Sequence, residues 1–146
     1  MHILIINGPN INMLGKREPT IYGNTSYEDL CNDLQHFAHE NKFSLHIVQS
    51  NYEGELIEYI QKAEQNYDAI IINAAAYTHY SIALYDALKS INLPALEVHI
   101  SNIHAREEFR QKSLIANACI GQISGLGLYG YKAALLYFLQ EYSFKH

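Results

Sequence analysis

Ala69-Ile70-Ile71-Ile72-Asn73 is a short apolar run closed by an amide. Four apolar residues in a row, three of them β-branched, mark a strand buried on both faces, as in a parallel sheet. Ile3-Leu4-Ile5-Ile6 has the same character and is broken at Gly8-Pro9. Between the two runs lie the signs of helices. Ser26 followed by Asp29 resembles a helix start, and Leu30, Leu34, Phe37 and Ala38 recur at helical spacing up to about Asn41. Phe43 to Val48 alternates and reads as a further strand. After Gly54, Leu56, Ile57, Ile60 and Ala63 mark another helix. Beyond Asn73 the pattern repeats, with a helix from about Ser81 to Ser90 and a strand from Ala95 to Ile100. A fifth strand is predicted over Ala118 to Ser124 and a last helix over Tyr131 to Tyr142.

Strand and helix therefore alternate five times. That order predicts an α/β fold, a flavodoxin-like doubly wound five-stranded parallel sheet with helices on both faces. The length of 146 residues fits one domain, 1–146. Ligands of such sheets bind outside the carboxyl ends of the strands. Polar residues collect at those ends: Asn7 to Asn10, Asn73 with Tyr77, Thr78 and His79, and Glu97 to Asn102. Each also has a plain structural use, Asn73 closing a turn, His79 at a helix start, Ser101 as a cap. Together they point to a small-molecule site. Glu97 and His99 share a face of their strand, a spacing that fixes an imidazole tautomer and suits a general acid.

The connection after the first strand is long. It carries Lys16, Arg17 and Tyr22, with Gly15 and Gly23 as hinges, so residues 16–24 are expected to form a lid. Other patterns are weaker. Gly125-Leu126-Gly127-Leu128-Tyr129-Gly130 matches a dinucleotide fingerprint, but the chain ends before an acidic ribose ligand could follow, so a tight turn is the reading. His36 and His39 lie on one helical turn without further ligands, which suggests a solvated face and no metal site.

Composition bounds the partners. The net charge of −5 comes with no basic stripe, which argues against nucleic acid and anionic membranes. No apolar run reaches the roughly 18 residues of a membrane span. Two cysteines make no disulfide framework, and reduced thiols point to a cytoplasmic protein. With only three arginines, at 17, 106 and 110, any anion site must be built locally.

Three long motifs now stand in order: Gly8-Pro9-Asn10-Ile11-Asn12-Met13-Leu14-Gly15-Lys16-Arg17-Glu18-Pro19 ending in Tyr22-Gly23; Asn73 with Ala76-Tyr77-Thr78-His79, Ser81-Ile82-Ala83-Leu84 and Asp86-Ala87; and Glu97-Val98-His99-Ile100-Ser101-Asn102 through Arg110. Over nearly its whole length the chain resembles the type II 3-dehydroquinate dehydratases. It departs from their pattern at Ala74-Ala75, where Pro-Gly is usual, and at Tyr85, where a basic residue is usual. The resemblance implies a hydro-lyase that converts 3-dehydroquinate to 3-dehydroshikimate through an enolate, without metal, cofactor or Schiff base. It implies Tyr22 as base, Arg17 as the cation that favours its phenolate with Arg106 assisting, Asn10 at the enolate oxygen, and His99 as acid. It further implies that Asn73 orients His99 or binds substrate, that Ile100 and Ser101 hold the substrate carboxylate, and that His79 and Arg110 hold its hydroxyls. Asp86 would reach a neighbouring subunit's site in a homododecamer, a tetramer of trimers. Two other readings remain open from the residues alone: a lysine-dependent imine dehydratase and a flavodoxin-like binding or signalling module.

Overall fold

The computed structural model describes residues 1–142, the side chains of Tyr22 and Tyr142 excepted. Five parallel strands form one sheet: β1 (His2–Asn7), β2 (Ser44–Gln49), β3 (Ala69–Asn73), β4 (Ala95–His99) and β5 (Gly121–Ser124). Their order, β2-β1-β3-β4-β5, is that of a flavodoxin-like doubly wound sheet. The chain reverses its winding between β1 and β3, and the register there sets Asn7 opposite Asn73.

Alternation along β1 explains both faces. Ile3 and Ile5 pack with Leu30, Leu34 and Ala38 of α2 (Tyr27–Glu40) and with Tyr131, Ala134 and Leu135 of α5 (Tyr129–Tyr137). Leu4 and Ile6 turn the other way, onto Leu56 and Ile60 of α3 (Glu53–Ala63) and Leu84 and Leu88 of α4 (Ile82–Lys89). Burying one such side chain contributes about 1.5–3 kcal/mol, so these two layers hold the strand ends in place. The predicted start of α2 is present as a capping box, in which Ser26 Oγ accepts from Asp29 N at 3.0 Å and the Asp29 carboxylate accepts from Ser26 N at 3.2 Å.

Two boundaries differ from the sequence reading. The fifth strand begins at Gly121, because Ile115–Ala118 forms a 3-10 turn that sinks Ile115 into the α3–α4 face. The last helix begins at Tyr129 and ends in a π-helical turn at Phe138–Tyr142. The expected lid also contains one helical turn, α1 (Pro19–Tyr22), with Pro19 at the first helical position where its missing N–H costs nothing. No helix among the described residues is long and apolar enough to cross a membrane.

Candidate active site

The two central strands leave the sheet in close contact. Gly8 N–H donates to the Asn73 carbonyl at 2.8 Å, and a Cβ on Gly8 would lie 2.6 Å from the Ala74 carbonyl oxygen. Only glycine fits that approach. Asn10 follows with φ 67°, a left-handed conformation that asparagine tolerates. Its N–H donates to Asn51 Oδ1 at 3.0 Å, and Gln49 Nε2 braces the same oxygen and the Gly8 carbonyl, each at 3.1 Å. Ala75, after β3, also has positive φ, 51°. It stands where glycine is the usual residue of the resembled family. Asn73 Oδ1 accepts from its N–H at 3.1 Å.

These turns frame a cavity of about 220 Å³ at the carboxyl ends of the strands. Of the residues singled out in the sequence, Asn10, Arg17, Asn73, His79, His99, Ile100, Ser101 and Arg110 line it, and so does Arg106. Pro9, Ile11, Leu14 and Ile103 supply apolar wall. Asp86 is not brought in; it sits exposed on α4, and this chain alone gives it no place in the cavity. The Tyr22 side chain lies outside the described residues, although its backbone ends α1. No lysine lines the cavity among the described residues.

The most heavily built part of the site is the end of β4. Glu97 is fully buried, and His99 Nε2 donates to its Oε1 at 2.5 Å. Thr78 Oγ1 and Ser113 Oγ donate to the same oxygen at 2.6 and 2.7 Å, and Gln122 Nε2 donates to Oε2 at 3.0 Å. Burial pushes the Glu97 carboxyl up, but these donors and the His99 ring outweigh it and hold the group below its ordinary value. Glu97 therefore stays ionised. Its charge compensates the ring when the other nitrogen, Nδ1, carries a proton to donate. The same-face spacing of Glu97 and His99 is borne out.

His79 is held differently. Its Nδ1 meets the Lys112 carbonyl at 2.8 Å, and a carbonyl only accepts, so Nδ1 carries the proton. Burial lowers its pKa, ahead of the smaller effects of His99 and Arg110 and against the pull of the Lys112 carbonyl. The neutral ring presents Nε2 as an acceptor, which suits a substrate hydroxyl. Arg110 Nε lies 3.0 Å from Glu107 Oε2. Across the cavity the ion pairs are longer: Glu18 Oε2 stands 3.7 Å from Arg17 and 3.8 Å from Arg106.

The glycine-rich segment serves as the tight turn expected of it. Gly125 N donates to the His99 carbonyl and Gly127 N to the Ile100 carbonyl, at 3.3 and 3.0 Å. Gly125 has φ 89° and packs against Asn102, leaving no room for a Cβ. The turn thus buttresses the loop 100–102 from behind. His36 and His39 are exposed on α2 as anticipated, and no group of three or more metal-binding side chains occurs among the described residues.

Sequence reasoning placed Thr78 at this rim without its contact to Glu97, and missed the other residues that brace it. Thr78, Ser113 and Gln122 come from a 3-10 turn, a connecting loop and β5, and only the register Glu97↔Gln122 between β4 and β5 reveals one of them. Gln49 and Asn51, behind Asn10, and Tyr131, behind Asn73, were likewise not foreseen.

Comparison with known proteins gives a consistent picture. A family model described as dehydroquinase class II matches residues 1–139. The 3-dehydroquinate dehydratase of Clostridium acetobutylicum is 59% identical over 131 residues, which is 90% of this chain and 91% of that protein. The crystal structure of type II dehydroquinase from Butyrivibrio crossotus superposes with a TM-score of 0.91 at 50% identity, covering 92% of this chain and 94% of that one. The enzyme of the same name from Propionibacterium acnes gives 0.92 at 43% identity, over 94% and 95% of the two chains.

Proposed function

The chain belongs to the class II dehydroquinase family, which dehydrates 3-dehydroquinate in the shikimate pathway, and we propose that its site divides that reaction between a lid and a rim. The substrate is a ketone with an acidic C–H beside the carbonyl and a hydroxyl one carbon further on. Tyr22, carried by the lid 16–24, removes the proton. A free phenol has a pKa of about 10 and is a weak base at neutral pH. Arg17, assisted by Arg106, favours the phenolate, since an adjacent positive charge stabilises the ionised form. The enolate oxygen is met by Asn10 through a bound water, a preorganised donor where charge develops.

His99 then protonates the departing hydroxyl, which leaves as water, with the Glu97 carboxylate balancing the ring's charge. Ile100 and Ser101 hold the substrate carboxylate through their backbone N–H groups and the Ser101 hydroxyl. His79 and Arg110 hold the ring hydroxyls, and Asn73 orients His99 or binds substrate. Residues 1–146 act as one catalytic domain with no cofactor. Asp86 completes the site of a neighbouring subunit in a dodecamer of four trimers, in the cytoplasm. Its exposure on α4, away from this chain's own cavity, supports that role.

The buried Glu97–His99 pair, held by three further donors at the mouth of a cavity that also contains Arg17, is the observation that carries this reading. The absence of any lysine among the described lining residues favours it over an imine route. Purified protein mixed with 3-dehydroquinate should raise the ultraviolet absorbance of a conjugated enone, and the rise should survive both chelator and borohydride. No rise from folded protein would contradict the reading.

A further inference from the structure

Behind the cavity, on the side of the sheet covered by α5, lies a polar group in an apolar layer. Tyr131 is completely buried, yet its hydroxyl is not a passive tip. It accepts from Asn73 Nδ2 at 2.9 Å and donates to Asn7 Oδ1 at 2.6 Å. These bonds join α5 to the facing ends of β1 and β3, across separations of 124 and 58 residues.

The direction of the chain of bonds can be worked out. The Ala75 N–H can only donate, so the Asn73 side chain must turn its oxygen toward it. Nδ2 then faces Tyr131, whose hydroxyl must accept there and pass its own proton to Asn7. Asn7 is fully buried, and although the Tyr27 hydroxyl lies beside its side chain, Asn7 Nδ2 makes no well-formed hydrogen bond among the described residues. A buried amide whose N–H groups are poorly satisfied costs stability, and an apolar side chain would carry no such cost. What Asn7 supplies in return is the acceptor that fixes the Tyr131 proton. With Oδ1 held by the Ala75 N–H and one Nδ2–H held from behind by Tyr131, the second Nδ2–H has no other bond among the described residues, and Asn73 lines the cavity.

We infer that Tyr131 is a positioning residue of this reaction, which locks the Asn73 amide so that it offers the cavity a donor and never a carbonyl. The role is distinct from packing, because it resides in one oxygen atom. It also acts at a distance from substrate, through Asn73 alone. The inference rests on the dehydratase reading above.

Tyr131→Phe removes that oxygen and keeps the ring. The variant should fold, with kcat lowered roughly tenfold and KM changed less than about threefold, as expected when a group is misplaced for chemistry more than for binding. Placed in an Asn73→Ala background, the same substitution should cause no further loss of kcat, since coupled residues are non-additive. Unchanged kcat per folded site, or an additive loss in the double variant, would overturn the inference and leave Tyr131 a core residue. If Tyr131→Phe does not fold, Asn7→Leu keeps the ring and removes the acceptor of its proton. A fall in kcat that vanishes beside Asn73→Ala supports the inference, and unchanged kcat contradicts it. Wild-type turnover tests the dehydratase reading by itself, while the ratio of variant to wild type tests Tyr131.

Discussion

His99 and Arg17 line the same cavity, yet they differ sharply in exposure. The His99 side chain is 6% exposed and tied to a carboxylate that collects four donors at 2.5–3.0 Å. The Arg17 side chain is 40% exposed, and Glu18 Oε2 stands 3.7 Å from it. Hydrogen bonds to a buried charge contribute about 1.5–3 kcal/mol each, whereas an exposed ion pair contributes about 0–1. The rim of β4 is therefore preorganised, whereas the proposed lid carries the more exposed of the two side chains. A dehydratase needs both: an acid fixed relative to the leaving group, and a base that closes over the substrate and excludes water.

The comparison breaks if the rim can be removed cheaply. His99→Ala should fold and lose turnover by about 10²–10⁴-fold, the range for a general acid, as measured by the enone assay at saturating substrate. Glu97→Gln should be the next largest effect. It leaves Thr78, Ser113 and the His99 ring without their charged acceptor and should destabilise the fold by about 2–4 kcal/mol in denaturant titration.

Glu97 also sets a pH signature. A carboxyl depressed in the folded state contributes stability above its unfolded pKa, and that contribution is lost as pH falls through the folded value. With an ordinary value of 4.5, the loss belongs below about pH 5, and Glu97→Gln should flatten the stability curve there. Ala75→Gly sharpens the picture from the other strand. A non-glycine residue at φ 51° carries left-handed strain, and the substitution should stabilise the protein by about 1 kcal/mol in thermal unfolding. Smallest of all, Glu18→Gln on the lid should move stability by less than about 0.5 kcal/mol, at low or high salt.

Much of this was legible in the chain. The apolar runs at Ile3 and Ala69 and the helical spacings between them dictated the sheet, because strands buried on both faces and one-sided helices have few other arrangements. Glu97 and His99 were readable as a pair because strand geometry puts alternate residues on one face. The start of β5 was not readable. Ala118-Cys119-Ile120 is as apolar as a strand, and nothing local shows that Ile115 is drawn to the α3–α4 layer. The Tyr131 hydroxyl was hidden in an apolar helical stripe, and Thr78, Ser113 and Gln122 meet Glu97 only in three dimensions. Asp86 was placed by resemblance alone, and a single chain leaves it outside its own cavity.

The proposed division between a base on the lid and a fixed acid is tested most directly by Tyr22→Phe, with substrate binding and turnover measured on the same preparation. Binding should persist, since the rim proposed to hold the carboxylate and hydroxyls is untouched, and turnover should fall by about 10²–10⁴-fold. A variant that turns over at a near-normal rate would show that the base lies elsewhere and that the lid does no chemistry.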